Sequence, residues 1–245
     1  MAAMHQALIA GYLNSKVSAA RTDTYANDWS PAEETITWSG CNFGPADPSR
    51  VMVFGINGRR PSASSGLTTM TACSISGIPA TFQQVETRNN TGTSERIGTF
   101  AIAYAPVPTG NSGNVTFTFD PNIFVLIVHA FSIIGSNGAP YQIVMPTTRA
   151  SSHNISQDTI PGASVVGFGA SVEPSAGSDV GLSWTGLGSS LQTNRTDGGN
   201  NRASLSSAFE SELAVGSTPL TIIESASNYA DNVGNYAASL QFRAY

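Results

Sequence analysis

Along this chain apolar and polar residues alternate with the period of two that a pleated strand requires, and seldom recur at helical spacing. Over residues 115–119, Val115, Phe117 and Phe119 fall on one face, with Thr116 and Thr118 on the other. At the C-terminal end Ala238, Leu240, Phe242 and Ala244 alternate with Ser239, Gln241, Arg243 and Tyr245. Residues 51–56 are continuously apolar, which predicts a strand covered on both faces. Residues 123–134 form the longest dense apolar run. His129 and Ser132 interrupt it, so it reads as a buried strand and not a membrane span. Further strands are predicted over 35–38, 67–75, 80–85, 97–104, 141–144, 164–172, 180–184 and 220–225. Residues 67–75 and 80–85 read as two arms of a hairpin. Asn57-Gly58 and the Gly/Pro-rich stretch 43–48 read as turns. Helical spacing is confined to two short stretches, 6–12 and 202–213.

These elements predict an all-β fold. The expected architecture is one large antiparallel β-sandwich, jelly-roll or immunoglobulin-like, over residues 33–245. Residues 1–32 lack strand patterning and are expected to form a short irregular or helical N-terminal arm. Leu8, Ile9, Tyr12, Tyr25 and Trp29 give that arm more apolar surface than a free tail carries, which points to packing on a neighbouring subunit. No repeat of fixed period is visible.

Charge sharpens the picture. Only 11% of the 245 residues are Asp, Glu, Lys or Arg, against roughly a quarter in ordinary globular domains. Lys16 is the only lysine, so the other ten of the eleven basic residues are arginines. A surface made of Ser, Thr, Asn, Gln and Gly is cheap to desolvate, because few ion hydration shells are stripped on contact. That favours a subunit packed in an assembly over a free monomer. The net charge of −5 and the absence of a dense basic run argue against a nucleic-acid partner, and Arg59-Arg60 reads as a solvated turn. No membrane insertion and no export signal are expected.

Chemistry-bearing motifs are sparse. His129 sits mid-strand and reads as a satisfied core residue, while His5 and His153 have no second histidine near them. Nucleophile elbow, Walker loop and zincin patterns are absent from the sequence. Glu33-Glu34 and the pair Glu210 and Glu212 read as solvated surface, not as a hydrolase pair. Cys41 and Cys73 are expected as buried free thiols. Residues 197–201 read as a plain turn and not a calcium loop. Gly167-Phe168-Gly169 is expected to mark a bulge or a close backbone approach. The expectation is a protein without catalysis, cofactor or metal. Polar loops at 88–96, 136–141 and 192–202 are the candidate contacts for a host-surface glycan. Arg88, Arg96, Tyr141, Arg195, Asp197 and Asn200 are the residues placed to make them.

Four segments carry a family resemblance. They are Arg50-Val51-Met52-Val53-Phe54-Gly55-Ile56; Ser74-Ile75-Ser76-Gly77-Ile78-Pro79-Ala80-Thr81; Tyr104-Ala105-Pro106-Val107-Pro108-Thr109-Gly110-Asn111-Ser112-Gly113-Asn114-Val115-Thr116; and Ile160-Pro161-Gly162-Ala163-Ser164-Val165-Val166-Gly167. Together they resemble β-sandwich virion proteins of tailed bacteriophages and gene transfer agents. The resemblance covers about residues 35–245 and transfers no catalytic residue. It implies a tail, fibre, spike or capsid-decoration component, made in the bacterial cytoplasm and released by lysis. Its implied partners are other virion proteins, further copies of itself and a host surface. A carbohydrate-binding or adhesin module is the alternative.

Overall fold

The computed structural model describes residues 16–60, 68–89, 96–158, 160–173, 181–197, 201–213, 220–226 and 234–244. Within them the chain is all-β and every strand pairing is antiparallel. The first sheet contains β1 (Ser18–Asn42), β2 (Val51–Arg59), β3 (Thr69–Ile75), β4 (Ile78–Pro79), β5 (Thr81–Asn89), β6 (Arg96–Pro106) and β7 (Ser112–Ile134). Its order is β4-β3-β7-β2-β6-β5, with β1 also paired to β7. The second contains β8 (Gln142–Val144), β10 (Ser164–Glu173), β12 (Gly188–Asp197), β13 (Asn201–Glu210) and β15 (Gly234–Phe242), ordered β12-β13-β10-β15-β8. The third is β11 (Leu182–Thr185), β14 (Leu220–Ala226) and β9 (Ser152–Gln157), with β14 in the middle.

The long strand β7 organises the first sheet. Its first half pairs with β3 and its second half with β2, so the sheet curls until β5 returns towards β3 and a nearly closed barrel results. Alternate residues of β2 divide between two cores. Met52, Phe54 and Ile56 point into the barrel among Trp38, Phe117 and Met70, while Val51 and Val53 face the second sheet with Phe131, Phe168 and Leu240. Edge-on aromatic pairs hold both cores, Phe54–Phe117 at 6.4 Å inside the barrel and Phe131–Phe168 at 5.5 Å between the sheets. Each such ring, fully buried, stabilises by about 1.5–3 kcal/mol. A third core, with Val165, Ala208, Ala237 and Ile155, joins the second sheet to the third.

The uninterrupted run 51–56 is thus a strand covered on both faces, and 115–119 alternates as its pattern requires. Five expectations are corrected. The sheet begins at Ser18, so the expected boundary between residues 32 and 33 falls inside β1. Tyr25 and Trp29, assigned to an arm, pack against the barrel core instead, while Leu8, Ile9 and Tyr12 lie outside the described residues. β3 and β5 are not hairpin partners: β3 turns through Ser76-Gly77, both with positive φ, into the stub β4, and β5 pairs with β6. Residues 202–210 are strand rather than helix, because β13 pairs with β10 along its length. Finally, Asn57-Gly58 is no turn. Both residues lie in β2, and Asn57 Nδ2 donates to the carbonyls of Ser171 (3.2 Å) and Ser204 (2.9 Å) in the second sheet.

Candidate ligand-binding end of the strands

β2 and β10 run side by side in one direction. The Phe168 ring lies over Gly55, and Asn57 reaches Ser171 three residues further along β10. This alignment gives the molecule two ends, and the arginines divide unequally between them. At the end where β2 and β10 finish stand Arg59 and Arg60. Arg88 and Arg96 close the β5–β6 ladder there, opposite Ile97 and Asn89. Arg202 pairs with Glu173 and Thr196, and Arg195 with Ala203. Ala150 exchanges hydrogen bonds with Asn235, itself opposite Ser171, which brings Arg149 to the same end. Seven of the ten arginines therefore gather at strand ends that are remote in sequence.

Their surroundings differ. Arg59 is buried within β2, at 1% exposure, which corrects the solvated turn expected for Arg59-Arg60. Arg60 is half-buried, and its Nε and Nη1 have no hydrogen-bond partner among the described residues. Arg149 Nη1 is in the same condition. A cavity of about 400 Å³ opens between β5 and β15, lined by Gln84, Val85, Glu86, Thr147 and Tyr236 and by none of these arginines. The acidic residues Asp28, Glu86, Glu173 and Asp197 occupy the same end by register.

Of the six residues expected to contact a ligand, the structure separates one and gives another a scaffold task. Tyr141 lies at the opposite end, where its N–H donates to the Gln241 carbonyl at 2.7 Å and the Arg243 guanidinium sits 4.5 Å from its ring centroid. Arg195 is not in a free loop. It belongs to β12, and its Nη2 donates to the Ala26 carbonyl of β1 at 2.7 Å, tying the first sheet to the second. Arg21 makes the reverse tie from β1, donating to the carbonyls of Ser189 (2.7 Å) and Ser207 (3.0 Å). Asp197 ends β12, Arg88 and Arg96 stand at the β5 and β6 ends, and Asn200 lies outside the described residues. Sequence reasoning missed that Arg60, Arg149 and Arg202 stand at one end of the strands, since no local motif links positions aligned only by sheet pairing.

The two histidines among the described residues, His129 and His153, are structural in their contacts. His129 is fully buried, with Nδ1 2.7 Å from Ser207 Oγ and Nε2 2.9 Å from Thr193 Oγ1. Burial, reinforced by the nearby Arg21 cation, pushes its pKa down to about 3, so the ring is neutral at ordinary pH. His153 Nε2 donates to the Asn235 carbonyl at 3.0 Å, and burial lowers its pKa too. Cys41 and Cys73 are free and buried, and burial pushes the Cys73 thiol up to about 12. Among the described residues no cluster of His, Cys, Asp or Glu has the arrangement of a metal site.

No protein-family model and no curated protein matches the chain. Among solved structures, a chain of the infectious bursal disease virus Gt strain matches at 12% identity with a TM-score of 0.18. That alignment covers 93% of this chain and 41% of the viral one. A likeness this slight carries no argument about fold or role.

Proposed function

We propose that this protein is a structural component of a bacteriophage-type virion, a tail, fibre, spike or capsid-decoration subunit that works by packing against its neighbours and not by catalysis. The observation that carries the reading is the outer face of the barrel where β1, β7 and β3 lie side by side. Registered rows run Thr37–Thr116–Ser74 and Thr35–Thr118–Ala72. These rows carry no charge. Some of their hydroxyls are engaged sideways, Thr37 Oγ1 lying 3.2 Å from Thr116 Oγ1, and Thr71 Oγ1 donates to the Thr118 carbonyl. Behind them Ile36, Trp38, Val115, Phe117, Cys73 and Ile75 fix the strands against the barrel core. Such a face gives up little hydration on contact and is held rigid, two properties that suit a repeated subunit contact. The family resemblance of the strand-and-turn segments points the same way. A jelly-roll or immunoglobulin-like sandwich remains the finer description that this reading favours for the layered body.

The test is to purify particles and measure the copy number of this chain against the major capsid protein by quantitative mass spectrometry. Hundreds of copies assign it to capsid decoration, and a few to a few dozen assign it to a tail, spike or fibre. Absence from particles overturns the proposal. Thr37→Arg and Thr116→Arg place charge on the neutral face and should reduce incorporation while leaving the thermal melt of the free chain near that of the parent. The second reading, a carbohydrate-binding module not permanently part of a particle, is favoured by the arginine-rich end.

A further inference from the structure

The chain holds two Asn-Gly pairs, Asn57-Gly58 and Asn137-Gly138, and the fold places them in opposite circumstances. Asn57 and Gly58 are buried in β2, opposite Phe100 and Thr99 of β6 on one side and Ile127 and Leu126 of β7 on the other. The Asn57 carboxamide is tied to the second sheet by its two Nδ2 hydrogen bonds. Asn137 is exposed in the connection between β7 and β8, outside any strand. Gly138 follows it with a φ of 95°, and a Cβ placed there would meet nothing within 4 Å. We infer that Asn137-Gly138 is a self-modification site, at which the Asn137 carboxamide converts to a carboxylate through a succinimide, with water as the co-reactant.

The chemistry needs these two residues and water. The Gly138 backbone nitrogen loses its proton and attacks Cγ of Asn137, forming a C–N bond and closing a five-membered ring. The Cγ–Nδ2 bond breaks, and the departing nitrogen takes up the proton to leave as ammonia. Water then opens the ring at either carbonyl, giving aspartate or its isomer with the main chain routed through Cβ. Nothing is oxidised or reduced. At Gly138 no Cβ shields the attacking nitrogen. Its N–H donates to Ser136 Oγ at 3.4 Å, a weak hold beside the usual N–H···O distance of about 2.9–3.0 Å. In β2 the paired neighbours hold Asn57 extended, and its carboxamide carbon cannot swing onto the Gly58 nitrogen. The exposed pair also sits between two fixed points. Ser136 is bridged to Ala244, and the Tyr141 N–H donates to the Gln241 carbonyl. The aspartyl product adds one negative charge between them, and the isomer adds one backbone carbon to a span held at both ends. The conversion is a slow, irreversible change in how this loop is tied to β15 and the residues after it.

The experiment incubates the full purified chain in mildly alkaline buffer, native in one arm and in concentrated urea in the other. Peptide mapping by mass spectrometry then follows both Asn-Gly pairs. In the native arm Asn137 is expected to gain one mass unit and to give two isomeric products. Asn57 should convert at least about tenfold more slowly, because attack there waits on local opening of a central strand. In urea both pairs should convert at similar rates. Hydroxylamine, which cleaves a chain at a succinimide, should cut the native protein after Asn137 and not after Asn57. Asn137→Gln, whose longer side chain closes the corresponding ring far less readily, should abolish the change at this loop without altering the thermal melt. Hydrogen exchange at the Tyr141 amide should rise in the converted chain, while amides of β2 keep their protection. Survival of Asn137 in the native arm while it converts in urea overturns the inference, as does equal conversion of the two pairs in the native arm. An unchanged Tyr141 amide in fully converted chain overturns the loosening of the loop alone.

Discussion

Gln84 on β5 grips the backbone of Met70 on β3 from both sides: its Oε1 accepts from the Met70 N–H at 2.7 Å, and its Nε2 donates to the Met70 carbonyl at 3.0 Å. A side-chain amide thus reproduces the pair of bonds that a neighbouring strand would make. It does so where the curled sheet brings its two edges together. Thr99 Oγ1 donates to the same Oε1 at 3.1 Å and holds the amide in place. Gln84→Ala should cost about 1–3 kcal/mol, since it leaves the part-buried polar groups of Met70 unmatched. Hydrogen exchange offers a sharper reading: the Met70 amide should lose protection far more than amides of β2, at the centre of the sheet. Equal loss everywhere would mean that Gln84 supports global stability without closing the barrel.

Gly55 and Phe168 define the spacing between the first two sheets. A Cβ on Gly55 would fall 2.0 Å from Phe168 Cδ1, an overlap that requires the ring or the sheet to move. Gly55→Ala should therefore destabilise by about 1–3 kcal/mol, the usual range for an overpacked core. Combining it with Phe168→Leu, which withdraws the ring, should cost less than the sum of the two single changes when chemical denaturation is measured as a double-mutant cycle. Strict additivity would show that the two residues do not share this space.

His129 sets an acid limit on stability. An unfolded histidine titrates near 6.5, whereas burial holds the folded ring to about 3. The folded pKa is the lower one, so as pH falls the unfolded chain takes up the proton first. The contribution is complete above about pH 6.5 and is lost progressively between there and about pH 3, amounting to a few kcal/mol. His153, shifted in the same direction, adds to the slope. Denaturant midpoints measured from pH 7 to 4 should fall steadily, and more shallowly in a His129→Asn variant. An unchanged slope in that variant would place the acid sensitivity elsewhere.

The legible parts of the fold were those whose side chains meet one uniform environment per face. β2 has apolar cover on both faces, and the 115–119 part of β7 has core on one side and water on the other, so each shows its nature in its pattern. β1 was partly hidden because its register against β7 shifts between Arg21 and Asp23, between Asp28 and Glu33, and again between Trp38 and Cys41. Each shift resets the phase of the alternation. β13 was mistaken for helix because close-packed layers press on both its faces, leaving Ala203, Ser204, Ser206, Ser207 and Ala208 with little contrast between inside and outside. At Gly167 neither the bulge nor the close backbone approach expected there is found: the register runs unbroken, and it is the Trp184 ring that lies over the glycine, 2.7 Å from a Cβ placed on it. The arginine-rich end was not legible either, since Arg60, Arg88, Arg149 and Arg202 come to one end of the strands only through pairings between distant segments.

Arg50, at the end of the barrel away from that cluster, makes the last prediction. Its guanidinium is fully buried, yet Nε donates to the Val107 carbonyl at 2.7 Å, Nη1 to Gly44 and Pro45 at 3.0 and 2.8 Å, and Nη2 to Thr109 and Gly110 at 2.7 and 2.6 Å. One side chain thereby ties the turn before β2 to the turn before β7, with the Phe43 ring beside it at 5.7 Å. The fork geometry is what matters. A lysine supplies three donors from a single point and cannot span carbonyls on two segments, so Arg50→Lys should be nearly as harmful as Arg50→Met. Both should lose about 2–5 kcal/mol, because several buried carbonyls lose their donor together. Thermal or urea unfolding of the two variants checks this. If lysine restored most of the stability, a positive charge among carbonyl dipoles would be sufficient, and the five directed bonds would not be the reason these turns are fixed.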